Sequence, residues 1–273
     1  MALDFQWCFV AILLILPLLY ELSSTFRYYA KMSLYVVIVN IAAVFVIILS
    51  LWRPYDVENY RYVVMLIREV RHLFGIEIEV RGAEHLDEDG SCVVVANHQT
   101  SLDFLGMMEI WPSRCAALAK RSLQYMLPFG LAATLTGTVF VDRGNRERSA
   151  GTMSDTAATI KQKKVKVFIF PEGTRNRDGS MKPFKKGAFY LAVQAQVPIL
   201  PVVFSSYNDF YNKKERRFET GKLVITCMPK ILTTGLTEED VPALTDRVRE
   251  QMLQVFNQMC AEVRLAKGTN GSR

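Results

Sequence analysis

Two long apolar runs open the chain. Residues 5–20, FQWCFVAILLILPLLY, and residues 33–52, SLYVVIVNIAAVFVIILSLW, contain no charged side chain. The second run reaches the ~18–20 residues of a bilayer-crossing helix. The first is marginal in length, and its Pro17 disrupts a helix interior. A cleaved signal peptide is the competing reading. It lacks a positive leading segment, since Asp4 is the only early charge, and no small-x-small site precedes Glu21. The runs are therefore read as a membrane-anchoring helical hairpin. Arg27 and Lys31 lie in the connection, whereas Arg53, Arg61, Arg68 and Arg71 follow the second run. If both runs span, the remainder of the chain faces the cytosol. A re-entrant hairpin would place the remainder on the side of the connection, and the pattern leaves both arrangements open.

Residues 58–74 carry Val63, Leu66, Ile67, Val70, Leu73 and Phe74 at helical spacing, which predicts an amphipathic helix for core packing or membrane contact. From residue 76 the pattern alternates. Strands are predicted at 76–80, 91–97, 115–119, 137–142, 165–170, 197–204 and 222–228, the first two separated by the turn signal Asp87-Glu88-Asp89-Gly90. Helices are predicted at 101–111, 121–135, 149–163, 184–196 and 241–264, the last preceded by a capping box of Thr237 and Asp240. This order predicts an α/β domain with a mostly parallel central sheet flanked by helices. The division is 1–55 for the anchor and 56–273 for the α/β domain. No internal repeat or low-complexity segment interrupts it.

Composition adds limits. The 273 residues are 50% hydrophobic with a formal net charge of +6, a globular rather than disordered chain of one large or two small domains. Five cysteines, none in a CxxC pair, fit reduced buried thiols better than a disulfide framework. The three histidines have no zinc-like spacing, so no tightly held metal is expected. Residues 141–190 concentrate twelve Lys and Arg against five Asp and Glu, which implies an anionic partner, with a solvated face as the alternative for the run Lys161-Gln162-Lys163-Lys164. No nucleic-acid-binding motif appears, and none is expected to bind.

Four strand ends carry candidate chemistry. Asn97-His98-Gln99-Thr100-Ser101-Leu102-Asp103 follows the second strand. On one helix, residues five apart are ~140° apart, so His98 and Asp103 meet only if the turn folds Asp103 back. A carboxylate would then hold one imidazole nitrogen while the other meets substrate, as a general base requires. The same residues also fit an ordinary helix cap. The second stretch is Phe170-Pro171-Glu172-Gly173-Thr174-Arg175, in which Gly173 permits a tight turn and Arg175 offers a planar fork for phosphate or carboxylate. Gly137-Thr138-Val139-Phe140-Val141-Asp142-Arg143 and Ala119-Lys120-Arg121 also end strands with charge. A polar surface loop is the alternative for each. In mostly parallel sheets, ligands bind beyond the carboxyl ends of the strands, where all four would lie. There is no G-x-S-x-G elbow, complete P-loop or G-x-G-x-x-G.

Taken together, Asn97-His98-x4-Asp103, Gly137-x-x-Phe140-x-Asp142-Arg143, Phe170-Pro171-Glu172-Gly173-Thr174-Arg175 and Val197-Pro198-Ile199 resemble, in order and spacing, the motifs of the glycerolipid acyltransferase family. Longer stretches, including FPEGTRNRDGSMKPFKKGAFYLAVQAQVPILP and DFYNKKERRF, are similar to its 1-acyl-sn-glycerol-3-phosphate branch, and the likeness covers roughly 76–260. The resemblance implies acyl transfer from acyl-coenzyme A, a co-substrate rather than a bound cofactor, to the sn-2 hydroxyl of lysophosphatidic acid, giving phosphatidic acid. It implies His98 and Asp103 as catalytic. Glu172, Gly173, Thr174 and Arg175, with Arg143 and Lys120, are implied at the substrate phosphate. It further implies an integral protein of the endoplasmic reticulum membrane. An acyltransferase with another acceptor, such as glycerol-3-phosphate, and a non-catalytic binder of anionic lipid are the rival readings.

Overall fold

The computed structural model describes residues 2–87, 90–142, 144 and 146–270, the side chains of 2–6, 8–12, 87, 146, 147, 149, 150 and 266–270 aside. The two apolar runs form α1 (Ala2–Leu22) and α2 (Ser24–Ser50), joined through Ser23, whose Oγ accepts from the Phe26 amide at the start of α2. By length and composition α2 alone, among the described residues, is long and apolar enough to cross a membrane. Its outward side chains, among them Val37, Ile41, Phe45 and Ile48, are exposed. Its other face is buried in the protein: Tyr28, Tyr35 and Ala42 join one hydrophobic core, and Ala43 and Val46 pack with Ala132.

The amphipathic segment after α2 is broken into a 3-10 turn at Val57–Asn59, α3 (Tyr60–Ile67) and α4 (Val70–Leu73). Strand β1 (Ile76–Arg81) and the short α5 (Glu84–Asp87) lead to β2 (Val93–Ala96). Glu88 and Asp89 of the predicted turn lie outside the described residues. Then come α6 (Asp103–Glu109), β3 (Cys115–Lys120), α7 (Phe129–Leu135), β4 (Val139–Val141), α8 (Arg146–Lys163), β5 (Lys166–Ile169), α9 (Gly187–Ala195) and β6 (Ile199–Phe204). A small hairpin, β7 (Tyr211–Asn212) and β8 (Arg217–Phe218), precedes β9 (Gly221–Cys227) and α10 (Val241–Asn270). The helix predicted at 121–135 is instead a 3-10 turn at Arg121–Tyr125 followed by α7, because Pro128 has no amide to continue a helix across that point. The Thr237–Asp240 capping box is present, reciprocal as expected.

The seven strands lie in the order β1-β9-β6-β2-β5-β3-β4, and every neighbouring pair is parallel except β6 with β9. Every residue of β2, β5 and β6 is buried, which explains their apolar runs, broken only by Lys166 whose Nζ donates to the Leu86 carbonyl: a central parallel strand is covered on both faces. The helix after β2 contributes Leu105 and Met108 to the core on one face. The helix after β5 contributes Phe189, Leu191 and Ala192 to the core on the other. Neighbouring strands β2 and β5 therefore send their chains to opposite faces. That reversal opens a crevice at their carboxyl ends, where α/β sheets place their ligands.

Candidate active site

The strand β2 ends in Asn97, whose side chain is fully buried. Its Nδ2 donates to the Phe204 carbonyl at 2.9 Å, and its Oδ1 accepts from the Phe204 amide at 2.8 Å. The side chain thus acts as one more rung between β2 and β6 and fixes the point where the backbone leaves the sheet. His98 follows at the crevice. The turn brings Asp103 back: Asp103 Oδ2 lies 2.7 Å from His98 Nδ1 and accepts from the Gln99 amide at 2.7 Å and the Thr100 amide at 3.0 Å. The helix-cap reading and the paired-base reading are thus one structure, with a single carboxylate oxygen ordering both the turn and the imidazole. A carboxylate only accepts, so Nδ1 carries the proton and Nε2 keeps its lone pair. The His98 side chain is 21% exposed and that of Asp103 only 2%. The imidazole therefore meets the crevice while the carboxylate does not.

The loop after β5 wraps His98 on three sides. Phe170 stacks on the imidazole at 4.1 Å between centroids and 19° between planes. Glu172 Oε1 accepts from the His98 amide at 2.8 Å, and its Oε2 accepts from the Lys182 amide at 3.0 Å. The Asn176 amide donates to the His98 carbonyl at 2.7 Å. Burial raises the Glu172 pKa above the usual carboxylate range, opposed by these two backbone amides.

An acyltransferase family model matches residues 77–205, the stretch that holds this geometry. The chain is 47% identical to 1-acyl-sn-glycerol-3-phosphate acyltransferase alpha of Homo sapiens, over 92% of this chain and 88% of the relative. The chain belongs to the 1-acyl-sn-glycerol-3-phosphate acyltransferase family. The beta form from Homo sapiens is 41% identical over 91% of this chain and 90% of its own. The fold is similar to the crystal structure of the 1-acyl-sn-glycerophosphate acyltransferase PlsC from Thermotoga maritima. That match has TM-score 0.65 and 25% identity and covers 86% of this chain and 94% of the other.

In this acyltransferase the expected phosphate-site residues lie on different elements. Thr174 and Arg175 are exposed in the first half of the loop after β5, and Lys120 is exposed at the end of β3. Arg143 lies outside the described residues. The neighbouring Asp142 sits 4.0 Å from both Arg121 and Arg148. Gly173 has φ +70°, and a Cβ there would meet Lys185 Cε at 2.8 Å. The left-handed backbone is what favours glycine here, with the flexible Lys185 side chain lying over it. Both carboxylate oxygens of Glu172 are taken by backbone amides.

Other residues of the acyltransferase site carried no signal in its sequence. Lys185 is one of twelve basic residues in 141–190, and nothing in the sequence singles it out from the rest. Gln99 Nε2 donates to the carbonyls of Phe204 and Ser205, at 3.1 and 2.9 Å, tying the catalytic turn to β6. Tyr207 is buried, and its hydroxyl lies beside the Asp103 carboxylate. It falls short of strict hydrogen-bond geometry, as the Tyr207 hydroxyl and Asp103 Oδ1 are both buried without another partner. Burial, then the negative charge of Asp103, holds the Tyr207 phenol well above its usual pKa, so it stays protonated. Among the described residues, no group of three or more His, Cys, Asp or Glu is placed to hold a metal ion.

Proposed function

We propose that this chain transfers an acyl group from acyl-coenzyme A to the sn-2 hydroxyl of 1-acyl-sn-glycerol-3-phosphate, giving phosphatidic acid and free coenzyme A. The observation that carries the reading is the His98–Asp103 pair at the β2/β5 crossover, in a chain this similar to named 1-acyl-sn-glycerol-3-phosphate acyltransferases. Nε2 of His98 takes the proton of the sn-2 hydroxyl as its oxygen attacks the thioester carbonyl. Asp103 fixes the tautomer and stabilises the imidazolium. The tetrahedral adduct collapses, the carbon–sulfur bond breaks, and the thiolate leaves. A thiol pKa near ~8.5 makes it a good leaving group with little acid assistance. No enzyme-bound acyl intermediate is needed. A positioned base of this kind contributes ~10²–10⁴-fold to rate.

Arg175 and Lys185, with Lys120 and Arg143 from adjacent strand ends, supply the positive charge for the glycerol phosphate. Glu172 has a different part. A carboxylate repels phosphate, and this one is occupied by the amides of His98 and Lys182, so it positions the loop that carries Gly173, Thr174 and Arg175. Residues 1–55 form the membrane anchor and 56–273 the catalytic domain. The anchor is no loose tether, because α2 shares the catalytic domain's core through Tyr28, Tyr35 and Ala42. The lipid acceptor therefore reaches the crevice from the bilayer. By likeness to the family, the membrane is that of the endoplasmic reticulum, with the catalytic domain facing the cytosol.

The test is thiol release from oleoyl-coenzyme A by the membrane-reconstituted chain, with lysophosphatidic acid or glycerol-3-phosphate as acceptor. Release that depends on lysophosphatidic acid and disappears in His98→Ala is the expected result. Release with glycerol-3-phosphate alone would keep the chemistry and overturn the acceptor.

A further inference from the structure

We propose that the catalytic domain has a lipid-contacting surface of its own: the tip Tyr125-Met126-Leu127, with Leu131, enters the bilayer beside the outer face of α2. The proposal rests on the reading of α1 and α2 as membrane helices. Tyr125 is 70% exposed, Met126 57% and Leu127 75%. Three consecutive large apolar side chains turned to water are unfavourable, and a contiguous exposed apolar patch marks a contact surface. Leu131, one turn into α7, is exposed as well.

Continuity with the membrane helix decides the occupant. The opposite face of α7 is packed on α2, with Ala132 against Ala43 and Val46. A small apolar cavity between the two helices is lined by Val39 and Ala42 on one side and Phe129 and Ala133 on the other. The tip therefore borders a helix whose outward face is itself exposed leucine, isoleucine, valine and phenylalanine. Lys120 and Arg121, both exposed, lead directly into the tip. Cations beside an apolar insertion suit the phosphates of lipid headgroups, and a tyrosine suits the interface between them and the acyl chains. At the other end of the tip, the Phe129 ring meets Phe104 edge to face at 6.3 Å, and Phe104 follows Asp103 directly. Lipid contact at the tip is thus one aromatic pair away from the helix that carries the catalytic aspartate. It holds the mouth of the crevice against the surface from which the acceptor arrives.

The full chain is bound to vesicles of phosphatidylcholine and phosphatidic acid, with plain or brominated acyl chains, and tryptophan emission is compared. A W7F/W52F protein gives the background from Trp111, which is stacked on Tyr60 at 4.2 Å. Adding Leu127→Trp to it reports the tip, and W52F alone reports α1 through Trp7, which is 69% exposed. The expected result is quenching by brominated lipid at position 127 clearly above the background. In parallel, Tyr125→Ser/Met126→Ser/Leu127→Ser should raise the apparent KM for acceptor presented in vesicles, with kcat/KM unchanged for a short-chain acceptor dissolved in water. Quenching of Trp7 without quenching at 127 would overturn the tip and leave the hairpin reading intact. Absence of both would overturn the hairpin reading and the tip with it. A change of oligomeric state in the triple variant, without quenching at 127, would assign the patch to a protein contact instead.

Discussion

The hydroxyl of Tyr35 donates to the backbone carbonyl of Ser101 at 2.9 Å. Tyr35 belongs to the apolar helix α2, and Ser101 lies in the turn between His98 and Asp103. One hydrogen bond therefore ties the apolar helix to the turn that joins His98 and Asp103. Tyr35→Phe keeps the ring, which meets Phe74 edge to face at 6.1 Å, and removes only this link. We expect about 0.5–1.5 kcal/mol of lost stability. A several-fold fall in kcat with little change in KM is also expected. Denaturant unfolding and steady-state kinetics check the two parts separately.

Asp103→Asn is the sharper test of the pair. The amide replaces an oxygen that serves His98 Nδ1 and two backbone amides at once. Its NH2 cannot accept from them, and if its oxygen serves the turn the imidazole loses its tautomer control. Turnover should fall toward the His98→Ala level, by roughly 10²–10⁴-fold. Equal, non-additive losses in the two single variants and the double variant would show that the residues act as one unit.

Glu172 separates positioning from phosphate binding. In Glu172→Gln one backbone amide faces an NH2 group, a buried mismatch costing about 1–3 kcal/mol. A positioning role lowers kcat and stability, whereas a phosphate ligand's loss would appear chiefly in the acceptor KM. The pH dependence has a definite sign. Burial raises the folded-state pKa of Glu172, so the folded protein holds this proton to higher pH than the unfolded chain does. Its contribution to stability is then greatest below the ordinary carboxylate pKa and falls as pH rises through the raised value. The stability gap between wild type and Glu172→Gln should narrow across that window. A gap that widens with pH would refute desolvation as the dominant cause.

Arg175→Lys should raise the KM for the phosphorylated acceptor while leaving that for the acyl donor unchanged. The lysine retains charge but loses the planar two-point grip on phosphate. Unchanged acceptor kinetics would remove Arg175 from the phosphate role.

The thiols offer a probe of the fold. Cys92, Cys115, Cys227 and Cys260 are buried thiols outside any disulfide. Burial pushes the Cys227 thiol up to about 12 and that of Cys115 well above its usual value. The reactive species is the thiolate, so none of the four should be alkylated in the native protein at pH 8, and all should react on unfolding. Mass mapping of labelled cysteines at increasing denaturant reads this directly.

Much of this architecture was written in periodicity and punctuation. Alternating apolar strands and helices gave the parallel sheet, and the polar residues at its strand ends marked the crevice, because both patterns are local. The Thr237–Asp240 cap and the two apolar helices are local in the same sense. Where local pattern failed, a single backbone constraint decided: Pro128 divides what hydrophobic spacing reads as one helix, and the segment 57–73 follows the surface in three pieces. The His-x4-Asp spacing alone did not distinguish a helix cap from a catalytic pair. The folded turn joins the two geometries, since one oxygen of Asp103 meets two amides and the imidazole. The partners that complete the site come from positions far apart in the chain. Phe170 stacks on His98, Glu172 and Asn176 hold its backbone, Tyr207 backs Asp103 and Tyr35 braces the turn. The sequence determined which chemistry was present and at which end of the sheet it lay. Only the tertiary structure decided which side chains enclose it, because side-chain contacts across β2, β5, β6 and α2 depend on strand order and register, which no local pattern encodes.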